Sequence, residues 1–384
     1  MHILWVGLLG GVALLWILEA IEIGRGVRSM ASLDRFPSLP DAKCSAVSIL
    51  VAGRDEADKL PGALQTFLAL DYPLYEVVAV DDRSMDGTGK ILEAAAQNDA
   101  RLKTMRVDSL PSGWLGKPHA LQQAYENSSG EWLVFTDADV HFRPDLLRRA
   151  LALVREKGWE HLTLLGHAKM FNAGEKIAMT FFSLGFLMGI RPWKVSDPRS
   201  PVYAGVGAFQ LIRRSAYEKI GTHRRLAMEV VDDMKLGKLV KEAGIPSGLA
   251  TAGDAVSVHW HAGIGNMILG TTKNFFATTG FRVWVAALQI LGLVMAFIFP
   301  VAALPFAHGL ARWFDLIAIA LPVIAMGGVC REFGISLLYA LTYPAGALIF
   351  IWMLARSTIV TLWKGGIEWR GTFYPLEELK RGSV

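Results

Sequence analysis

The chain has 384 residues, of which 52% are hydrophobic and 19% are charged, and its mean hydropathy of +0.35 is too high for an ordinary soluble protein. The net charge of +4 is small, and basic residues beside a membrane explain it as well as a nucleic-acid partner would, so no nucleic acid is expected. Cys44 and Cys330 lie far apart and predict no disulfide framework, which agrees with a reducing compartment.

The first predicted element is a transmembrane anchor over residues 1–24, because residues 3–18 carry no charge. A cleaved signal peptide is the alternative, since the apolar core is short, but no basic residue precedes it. Four basic residues follow the anchor, namely Arg25, Arg28, Arg35 and Lys43. The positive-inside rule places that side in the cytoplasm.

Residues 44–265 have normal charge density and predict one cytosolic α/β domain. Apolar runs that read as strands alternate with segments that read as helices, with strands at 46–52, 76–82, 102–108 and 131–139. This alternation predicts a mostly parallel sheet with helices on both faces. In such sheets ligands bind beyond the carboxyl ends of the strands, where Asp82, Asp137 and Asp139 fall.

These carboxylates have structural alternatives to a ligand site. Asp82, with Ser84 and Asp86 after it, is compatible with turn and helix-cap chemistry alone. In "VFTDADVHF", strand alternation would point Asp137 and Asp139 to the same side. Two carboxylates placed together either hold a cation or repel each other, and their position after an apolar strand favours a ligand site.

Two further segments of the soluble region each allow more than one interpretation. Residues 177–193 are apolar but too short for a comfortable membrane span, so we predict a core or interfacial helix that forms part of a lipid entry. In "HWHAG", His259 and His261 alternate on a predicted strand, without the further ligands that zinc requires. A surface position and a contact with the diphosphate or the metal both stay open for them.

The C-terminal part predicts an interfacial segment over 266–282, a transmembrane bundle over 283–363 and a cytosolic tail over 364–384. Apolar runs at 283–306, 314–329 and 335–354 indicate three crossings. A basic tail belongs in the cytoplasm, which an odd number of crossings forbids. One segment is therefore expected to be re-entrant or interfacial, or the last run crosses twice.

Six motifs stand in a specific order: "VSILVAGRDEADKL", "VVAVDDRSMDGT", "GWLGKPHAL", "TDAD", "AGVGAFQLIRRSAYEKIG" and "VVDDMKLGKLVKEAG". Together they resemble the family 2 glycosyltransferases, membrane-anchored inverting enzymes with a nucleotide-sugar-binding domain of the A type. The resemblance covers roughly residues 47–282. The tail "IEWRGTFYPL" is similar to the endings of ceramide-glucosyltransferase-like and hopanoid- or carotenoid-associated members, which implies a position near the membrane-facing site.

The resemblance implies a donor site made from the first loop, the second-strand motif, the segment before the DxD motif and that motif itself, namely Ala52, Arg54, Glu56, Asp82, Lys117, Asp137 and Asp139. Asp82 would accept a hydrogen bond from the imide of a uracil, so a UDP-sugar is the expected donor. Asp139 is expected to bind Mg²⁺ or Mn²⁺ directly, and Asp137 to contact the ribose or the metal through water. Such a cation stabilises charge on the leaving diphosphate. A solvated lysine before a helix is the alternative for Lys117.

The same resemblance implies an acceptor side and a base. Gly205 and Gly207 would lie on a small-residue strand beside the acceptor, and Asp233 would be the catalytic base with Asp232 in the glutamate position of the ED motif. A neighbouring carboxylate and partial burial would raise the pKa of such a base. The alternative is that both aspartates only begin a helix, where negative charge is favourable.

One family motif, Q/RxxRW, is missing, and "GTTKNFF" stands in its place. Lys273 is still expected to contact the diphosphate and Phe275 to line the acceptor site, but the substitution argues against processive polymer synthesis. The resemblance thus implies an inverting transfer from a UDP-sugar to a membrane lipid hydroxyl at the cytoplasmic face of the inner membrane. The alternatives are a polyprenyl-phosphate glycosyltransferase and a non-catalytic membrane protein that keeps the fold.

Overall fold

The computed structural model describes residues 2–384, which divide between two compact units. The helical unit contains the N-terminal helix up to Ser29, Met170–Arg191 and Trp260–Trp369. The sheet unit contains Met30–Lys169, Pro192–His259 and Arg370–Val384. In this division residues 170–191 group with the other apolar helices, and the tail from 370 groups with the sheet.

The helices of the sheet unit are α2 Leu60–Leu68, α3 Thr88–Asn98, α4 Gly116–Glu126, α5 Leu146–Lys157, α7 Arg214–Lys219, α8 Asp232–Glu242 and α15 Leu376–Arg381. The helices of the helical unit are α1 His2–Ser29, α6 Ala173–Ile190, α9 Gly263–Thr271, α10 Phe275–Thr278, α11 Val283–Leu293, α12 Phe299–Ala303, α13 Leu310–Glu332 and α14 Tyr343–Lys364. A π-helical turn, Val294–Ile298, joins α11 to α12.

The strands are β1 Ala31–Ser32, β2 Val47–Gly53, β3 Tyr75–Asp82, β4 Leu102–Val107, β5 Trp132–Asp137, β6 Val140–Phe142, β7 His161–Ala168, β8 Gln210–Arg213, β9 Ser247–Val258, β10 Gly366–Trp369 and β11 Thr372–Pro375. Among the described residues, nine of them form one sheet in the order β1-β9-β7-β8-β5-β2-β3-β4, with β6 beside β9. β8 is antiparallel to both of its neighbours, and β6 is antiparallel to β9, while the other pairs are parallel. The predicted mostly parallel sheet is confirmed.

The central strands are buried on both faces, which explains their continuous apolar sequences. In β2, Ile49 and Val51 belong to one hydrophobic core and Leu50 to the other. The same alternation runs through β3 and β5, because successive side chains of a strand point to opposite faces. Polar residues are therefore excluded from the strand interiors and accumulate where the strands end.

Helix α6 is tied at both ends by polar contacts within the helical unit. The Asn172 side chain caps its first turn by accepting from the Glu175 N–H at 3.0 Å, and the buried Glu175 carboxylate accepts from the Gly263 N–H at 2.6 Å. At the other end, Arg191 adopts a left-handed backbone with φ of 54° and forms ion pairs with Glu19 at 2.6 Å and Glu22 at 3.1 Å. These contacts fix where the helix begins and ends.

Across the described part of the chain, five helices are long and apolar enough to cross a membrane by length and composition: Ile3–Ser29, Ala173–Lys194, Val283–Ala303, Leu310–Glu332 and Leu337–Lys364. The second includes the 177–193 segment, so the expectation that this segment is too short was wrong. However, β7 precedes it and β8 follows it, and these two strands pair directly. A single crossing would put the paired strands on opposite sides of a bilayer, so the interfacial or core position stays the prediction.

Two strand predictions near the site are wrong. β9 ends at Val258, so His259 and His261 do not alternate on a strand. The strand predicted to contain Gly205 and Gly207 begins only at Gln210, and both glycines lie in the loop before it. Local sequence pattern failed here because small residues permit a loop as readily as a strand.

Candidate active site

The centre of the candidate site is a loop that joins Asp233, at the start of α8, to Asp137, at the end of β5. The Gly207 backbone N–H donates to Asp233 Oδ2 at 2.8 Å, and the Gly207 carbonyl accepts from the Asp137 N–H at 3.1 Å. One peptide segment thus links the predicted base to the first aspartate of the predicted DxD motif.

Glycine is required at two positions of this loop by close approach rather than by a special φ. A Cβ on Gly207 would lie 2.6 Å from Asp137 Oδ2, and one on Gly205 would lie 1.8 Å from the Asp233 carbonyl oxygen. A larger residue at position 207 would have to displace the Asp137 side chain, and one at position 205 would have to displace the Asp233 backbone. The predicted acceptor-side glycines therefore leave room for the Asp137 side chain and for the Asp233 backbone.

Lys117, in the first turn of α4, holds the acidic groups together. Its Nζ lies 2.6 Å from Asp137 Oδ1 and 3.8 Å from Asp232 Oδ1. Burial alone would lower the pKa of this lysine, but Asp137, Asp232 and Asp233 raise it well above its usual range. Lys117 is thus a fixed positive charge among three carboxylates.

The pKa of Asp233 is raised to about 6, first by burial and then by the neighbouring Asp232, while Lys117 opposes the shift. Its two oxygens accept from backbone N–H groups of Gly207 and Met234, each at 2.8 Å. A carboxylate in this state can take up a proton near neutral pH, and its orientation is fixed before any substrate arrives.

Asp232 is buried and lies beside His223, whose Nε2 is 3.9 Å from Asp232 Oδ2. Burial lowers the pKa of His223, although Asp232 opposes the shift. The other ring nitrogen of His223 is 2.6 Å from the Tyr217 hydroxyl. Asp232 and His223 are both buried and line the same small cavity as Asp233.

The DxD carboxylates do not share one strand. β5 ends at Asp137, and Asp139 lies in the turn before β6, so strand alternation does not apply to this pair. Asp137 binds Lys117, whereas Asp139 Oδ2 accepts from Lys59 Nζ at 2.8 Å. The prediction that alternation places them side by side was wrong for this reason.

Asp82, the predicted base-binding residue, ends β3 and is buried. Both of its oxygens accept from Arg83, Oδ1 from Nε at 2.7 Å and Oδ2 from Nη2 at 3.0 Å. Arg83 has a positive φ of 59°, which is unusual outside glycine and directs its side chain back onto its neighbour. A uracil imide would have to share or replace this ion pair.

The first loop contacts the C-terminal tail within the sheet unit. Glu56 forms an ion pair with Arg370, and Arg54 Nη1 lies 3.5 Å from the Thr372 hydroxyl. Burial raises the pKa of Glu56, and Arg370 opposes that shift. Ala52 lies near the end of β2, just before the first loop. Its Cα pairs in register with Asp137 of β5 and with Val80 of β3.

Two predicted site residues belong to the helical unit. Lys273 Nζ lies 3.6 Å from the centroid of the Trp369 ring, which is a cation–π contact. Phe275 is buried in α10, with its ring centroid 4.8 Å from that of Phe350 in α14. Their roles toward the diphosphate and the acceptor stay predictions.

Sequence reasoning missed four residues of the site, namely Lys59, Arg83, Gln210 and His223. The amide Nε2 of Gln210 donates to the Asp233 carbonyl at 3.2 Å, and Gln210 also contacts His161 at 3.1 Å. Lys59 and Arg83 lie inside the quoted motifs, but no spacing rule predicts their partners. Lys59 contacts Asp139, which is 80 residues further along the chain, and Arg83 contacts Asp82, which directly precedes it.

The residues present fit a divalent cation only in part. Among the described residues, no group of three or more His, Cys, Asp or Glu side chains is placed to hold a metal ion. Asp137 and Asp139 supply carboxylate oxygens, which Mg²⁺ and Mn²⁺ prefer, and a donor diphosphate would have to supply further oxygen ligands. The donor set therefore fits a cation that binds together with the donor.

The mostly parallel sheet with helices on both faces and acidic residues at the strand ends is an architecture that this chain shares with solved A-type glycosyltransferases. A mannosyltransferase from Pyrobaculum calidifontis, solved with GDP-Man and Mn²⁺, has this fold, with a TM-score of 0.55 over 94% of this chain and 99% of that one at 17% identity. Residues 48–221 match the model of glycosyl transferase family 2. This segment is therefore similar to a family 2 glycosyltransferase domain, and it covers slightly less than half of the chain.

Curated relatives include a 4,4'-diaponeurosporenoate glycosyltransferase of Staphylococcus haemolyticus, which is 22% identical over 60% of each chain. A β-monoglucosyldiacylglycerol synthase of Synechocystis is 32% identical over 37% of this chain and 31% of the relative. The chain thus spans less than two thirds of the length of either relative.

Proposed function

We propose that this protein is an inverting glycosyltransferase that moves a sugar from a UDP-sugar to a hydroxyl of a membrane lipid at the cytoplasmic face. The observation that carries the proposal is the link through Gly207, which holds the Asp233 carboxylate at a fixed position relative to Asp137. A base placed next to a donor-binding motif is what single-step transfer to a hydroxyl requires.

In the proposed reaction the acceptor oxygen attacks the anomeric carbon from the side opposite the leaving group. The bond between the sugar carbon and the phosphate oxygen breaks, the new glycosidic bond forms, and the acceptor proton moves to Asp233. UDP leaves with the bonding electrons. Asp233 is suited to this step because its raised pKa of about 6 brings it closer than an ordinary aspartate to the range useful for proton transfer at neutral pH.

The developing negative charge on the diphosphate needs a positive partner. Lys117 is already positioned by Asp137 at 2.6 Å, and Lys59 by Asp139 at 2.8 Å, so each lysine can shift from carboxylate to phosphate over a short distance. A Mg²⁺ or Mn²⁺ ion held by Asp139 and Asp137 would supply further stabilisation of that charge when bound.

A lipid acceptor is supported by the relatives and by the helical unit. The names of the two relatives refer to diaponeurosporenoate and to a glucosyldiacylglycerol, and five helices of the described chain have the length and composition of membrane spans. The basic residues after α1 support a cytosolic sheet unit in an inner membrane. In our proposal, domain boundaries at 24, 44, 265, 282 and 363 separate the anchor, catalytic domain, interfacial segment, bundle and tail.

A polyprenyl-phosphate acceptor is the alternative within this class, and its phosphate would need no strong base. The two fixed N–H contacts to Asp233 favour a hydroxyl acceptor, because they hold the carboxylate rather than leave it free. A non-catalytic protein that keeps the fold would not need a carboxylate with a raised pKa at this position.

The test is UDP release by the detergent-purified full chain, measured with a panel of UDP-sugars, Mg²⁺ or Mn²⁺, and a total lipid extract. We expect lipid-dependent and metal-dependent release that Asp233→Asn abolishes, whereas Glu93→Gln, on an exposed position of α3, leaves it unchanged. Release without lipid dependence would contradict the proposed acceptor, and equal release by Asp233→Asn would contradict the proposed base.

A further inference from the structure

The tail, residues 370–384, forms one wall of an open cavity of about 480 Å³ in the sheet unit. The opposite wall is the loop 108–114 that follows β4, and Arg83 lies at one side. A cavity of this size falls within the range of small-molecule sites, roughly 300–1,000 Å³. It is separate from the acidic cluster of Asp137 and Asp233, whose residues line a much smaller cavity.

Contacts with the donor-site elements hold the tail against this cavity. Arg370 donates to the Glu56 carboxylate and to the Asp55 carbonyl, and Tyr374 lies beside Arg83, close enough to interact with its guanidinium, which itself donates to Asp82. The side chain of Tyr374 is buried, in contrast to Phe373, which is 50% exposed and also lines the cavity. The tail thus touches both the first loop and the residue that controls access to Asp82.

The end of the tail is fixed as well. Leu376 and Leu379 of α15 are buried, and a Cβ on Gly382 would lie 2.4 Å from the Cβ of Met228, which lines the cavity from the other direction. Val384 accepts from Lys235 of α8, the helix that begins with Asp232 and Asp233. The wall is therefore packed in place over its whole length.

The lining matches the chemistry of a nucleoside. Trp114 and Phe373 supply flat aromatic faces, Arg83 supplies a planar guanidinium, and Asp108 and Glu378 supply carboxylates that accept from ribose hydroxyls or from a base. Nucleobases bind by stacking on aromatic rings and guanidinium planes, and hydrogen bonds to their edges provide selectivity. Arg83 connects this cavity to Asp82, so a base bound here lies next to the predicted base-binding carboxylate.

We propose that the tail builds one wall of the nucleoside pocket of the donor site, with Phe373 contacting the base and Tyr374 positioning Arg83. This inference rests on the proposed function, because it takes the donor to be a nucleoside diphosphate sugar. It assigns donor selection to residues more than 280 positions along the chain from Asp82, outside the segment that matches the family model.

The experiment is the dissociation constant of UDP, GDP and pyrophosphate for the detergent-purified full chain, measured by calorimetry at fixed Mn²⁺. We expect Phe373→Ala to weaken UDP binding by about tenfold, as loss of one base–aromatic contact does, and to leave pyrophosphate binding unchanged. Tyr374→Phe keeps the ring but removes the contact with Arg83, so we expect it to reduce the ratio of UDP to GDP affinity. Lys380→Ala, on an exposed position of the same tail, is the matched control.

If the wild-type protein binds UDP and both Phe373→Ala and Tyr374→Phe bind it with the same affinity, the tail does not form a wall of the nucleoside pocket. The proposed glycosyltransferase function would not be affected by that result. Equal weakening of UDP and pyrophosphate by Phe373→Ala would also overturn it, since the tail would then act on the diphosphate or on folding. Wild-type protein that binds no nucleoside diphosphate would remove both proposals. If the wild-type protein prefers GDP and Phe373→Ala abolishes that preference, the tail still forms the wall of the pocket. The donor nucleotide would then contain guanine instead of uracil.

Discussion

Asp233 combines a raised pKa with a fixed orientation, and these two properties have different origins. Burial and the charge of Asp232 raise the pKa, whereas the N–H groups of Gly207 and Met234 fix the carboxylate and would by themselves favour its charged form. The net shift is upward, so the burial and repulsion are stronger than the hydrogen bonds. This balance makes the pH dependence of the reaction informative.

The acid limb of the pH–rate profile should report Asp233. The base works only when it is deprotonated, so kcat/KM should fall tenfold per pH unit below about 6, rather than below about 4 as for an ordinary aspartate. Steady-state rates of UDP release between pH 4.5 and 8.5 measure this limb, with enzyme stability checked at each pH. An acid limb near 4 would contradict the raised pKa of Asp233, and an acid limb that is unchanged in Asp233→Asn would contradict its assignment as the base.

Gly207→Ala should reduce activity without unfolding the protein. The added Cβ would lie 2.6 Å from Asp137 Oδ2, so the carboxylate has to move and its contact with Lys117 is disturbed. We expect a loss of at least tenfold in kcat/KM, which corresponds to about 1.4 kcal/mol in the transition state.

The matched control for that substitution is Gly87→Ala in the same unit, where the nearest atom to the new Cβ is 3.8 Å away. Thermal unfolding of both variants checks that the fold is intact. If both variants retain full activity, the position of Asp137 does not depend on Gly207.

The sequence indicated the acidic residues of the site but not their partners. Asp82 and Asp137 were predicted as ligand-site residues because strand ends are visible as local patterns, whereas the role of Asp233 came from the family resemblance. The pairing of Lys59 with Asp139, and of Arg370 with Glu56, joins residues far apart in the chain and leaves no local signal. The turn that separates Asp139 from β5 was also missed, because the strand was predicted to continue as far as Asp139.

At the scale of elements, the central strands and helices were predictable because they repeat one pattern, an apolar strand followed by a helix. α6 was harder, since it is apolar on most of its surface and its length alone permits a membrane span. Whether α6 crosses the membrane depends on the pairing of β7 with β8, which is a long-range contact. We therefore predict that both ends of α6 lie on the same side of the bilayer.

An interfacial α6 should serve the lipid substrate and not the donor. Phe186 is half-buried in α6, whereas Phe182 packs 5.1 Å from the Trp260 ring and its replacement would also disturb the helical unit. We expect Phe186→Glu to reduce lipid-dependent UDP release several-fold, because a charge opposes insertion into the apolar leaflet.

Phe186→Leu is the control, since it keeps the position apolar, and UDP binding should be unchanged in both variants. Undiminished turnover of vesicle-embedded lipid by Phe186→Glu would remove α6 from the acceptor path. Changing Phe182 as well to a charged residue should give a larger loss, part of which reflects lost packing.

At the scale of the whole molecule, the number of membrane crossings is constrained by the two ends of the C-terminal helices. β9 ends at Val258 in the sheet unit, and the chain returns to that unit at Arg370, which pairs with Glu56. We therefore predict that the three candidate spans between them, Val283–Ala303, Leu310–Glu332 and Leu337–Lys364, contribute an even number of crossings. The basic tail and the contact of Arg370 with Glu56 thus lead independently to the same prediction, an even number of crossings.

This constraint predicts that the tail and the sheet unit are labelled from the same side of the membrane. Lys380→Cys in the tail and Lys90→Cys in α3 are both exposed, and can be introduced after Cys44 and Cys330 are replaced by serine and alanine. An impermeant maleimide should react with neither in intact cells and with both in inverted vesicles, because both lie in the proposed cytosolic unit. Labelling of Lys380→Cys alone in intact cells would mean that all three spans cross, and the tail could then contact neither Glu56 nor the nucleoside pocket.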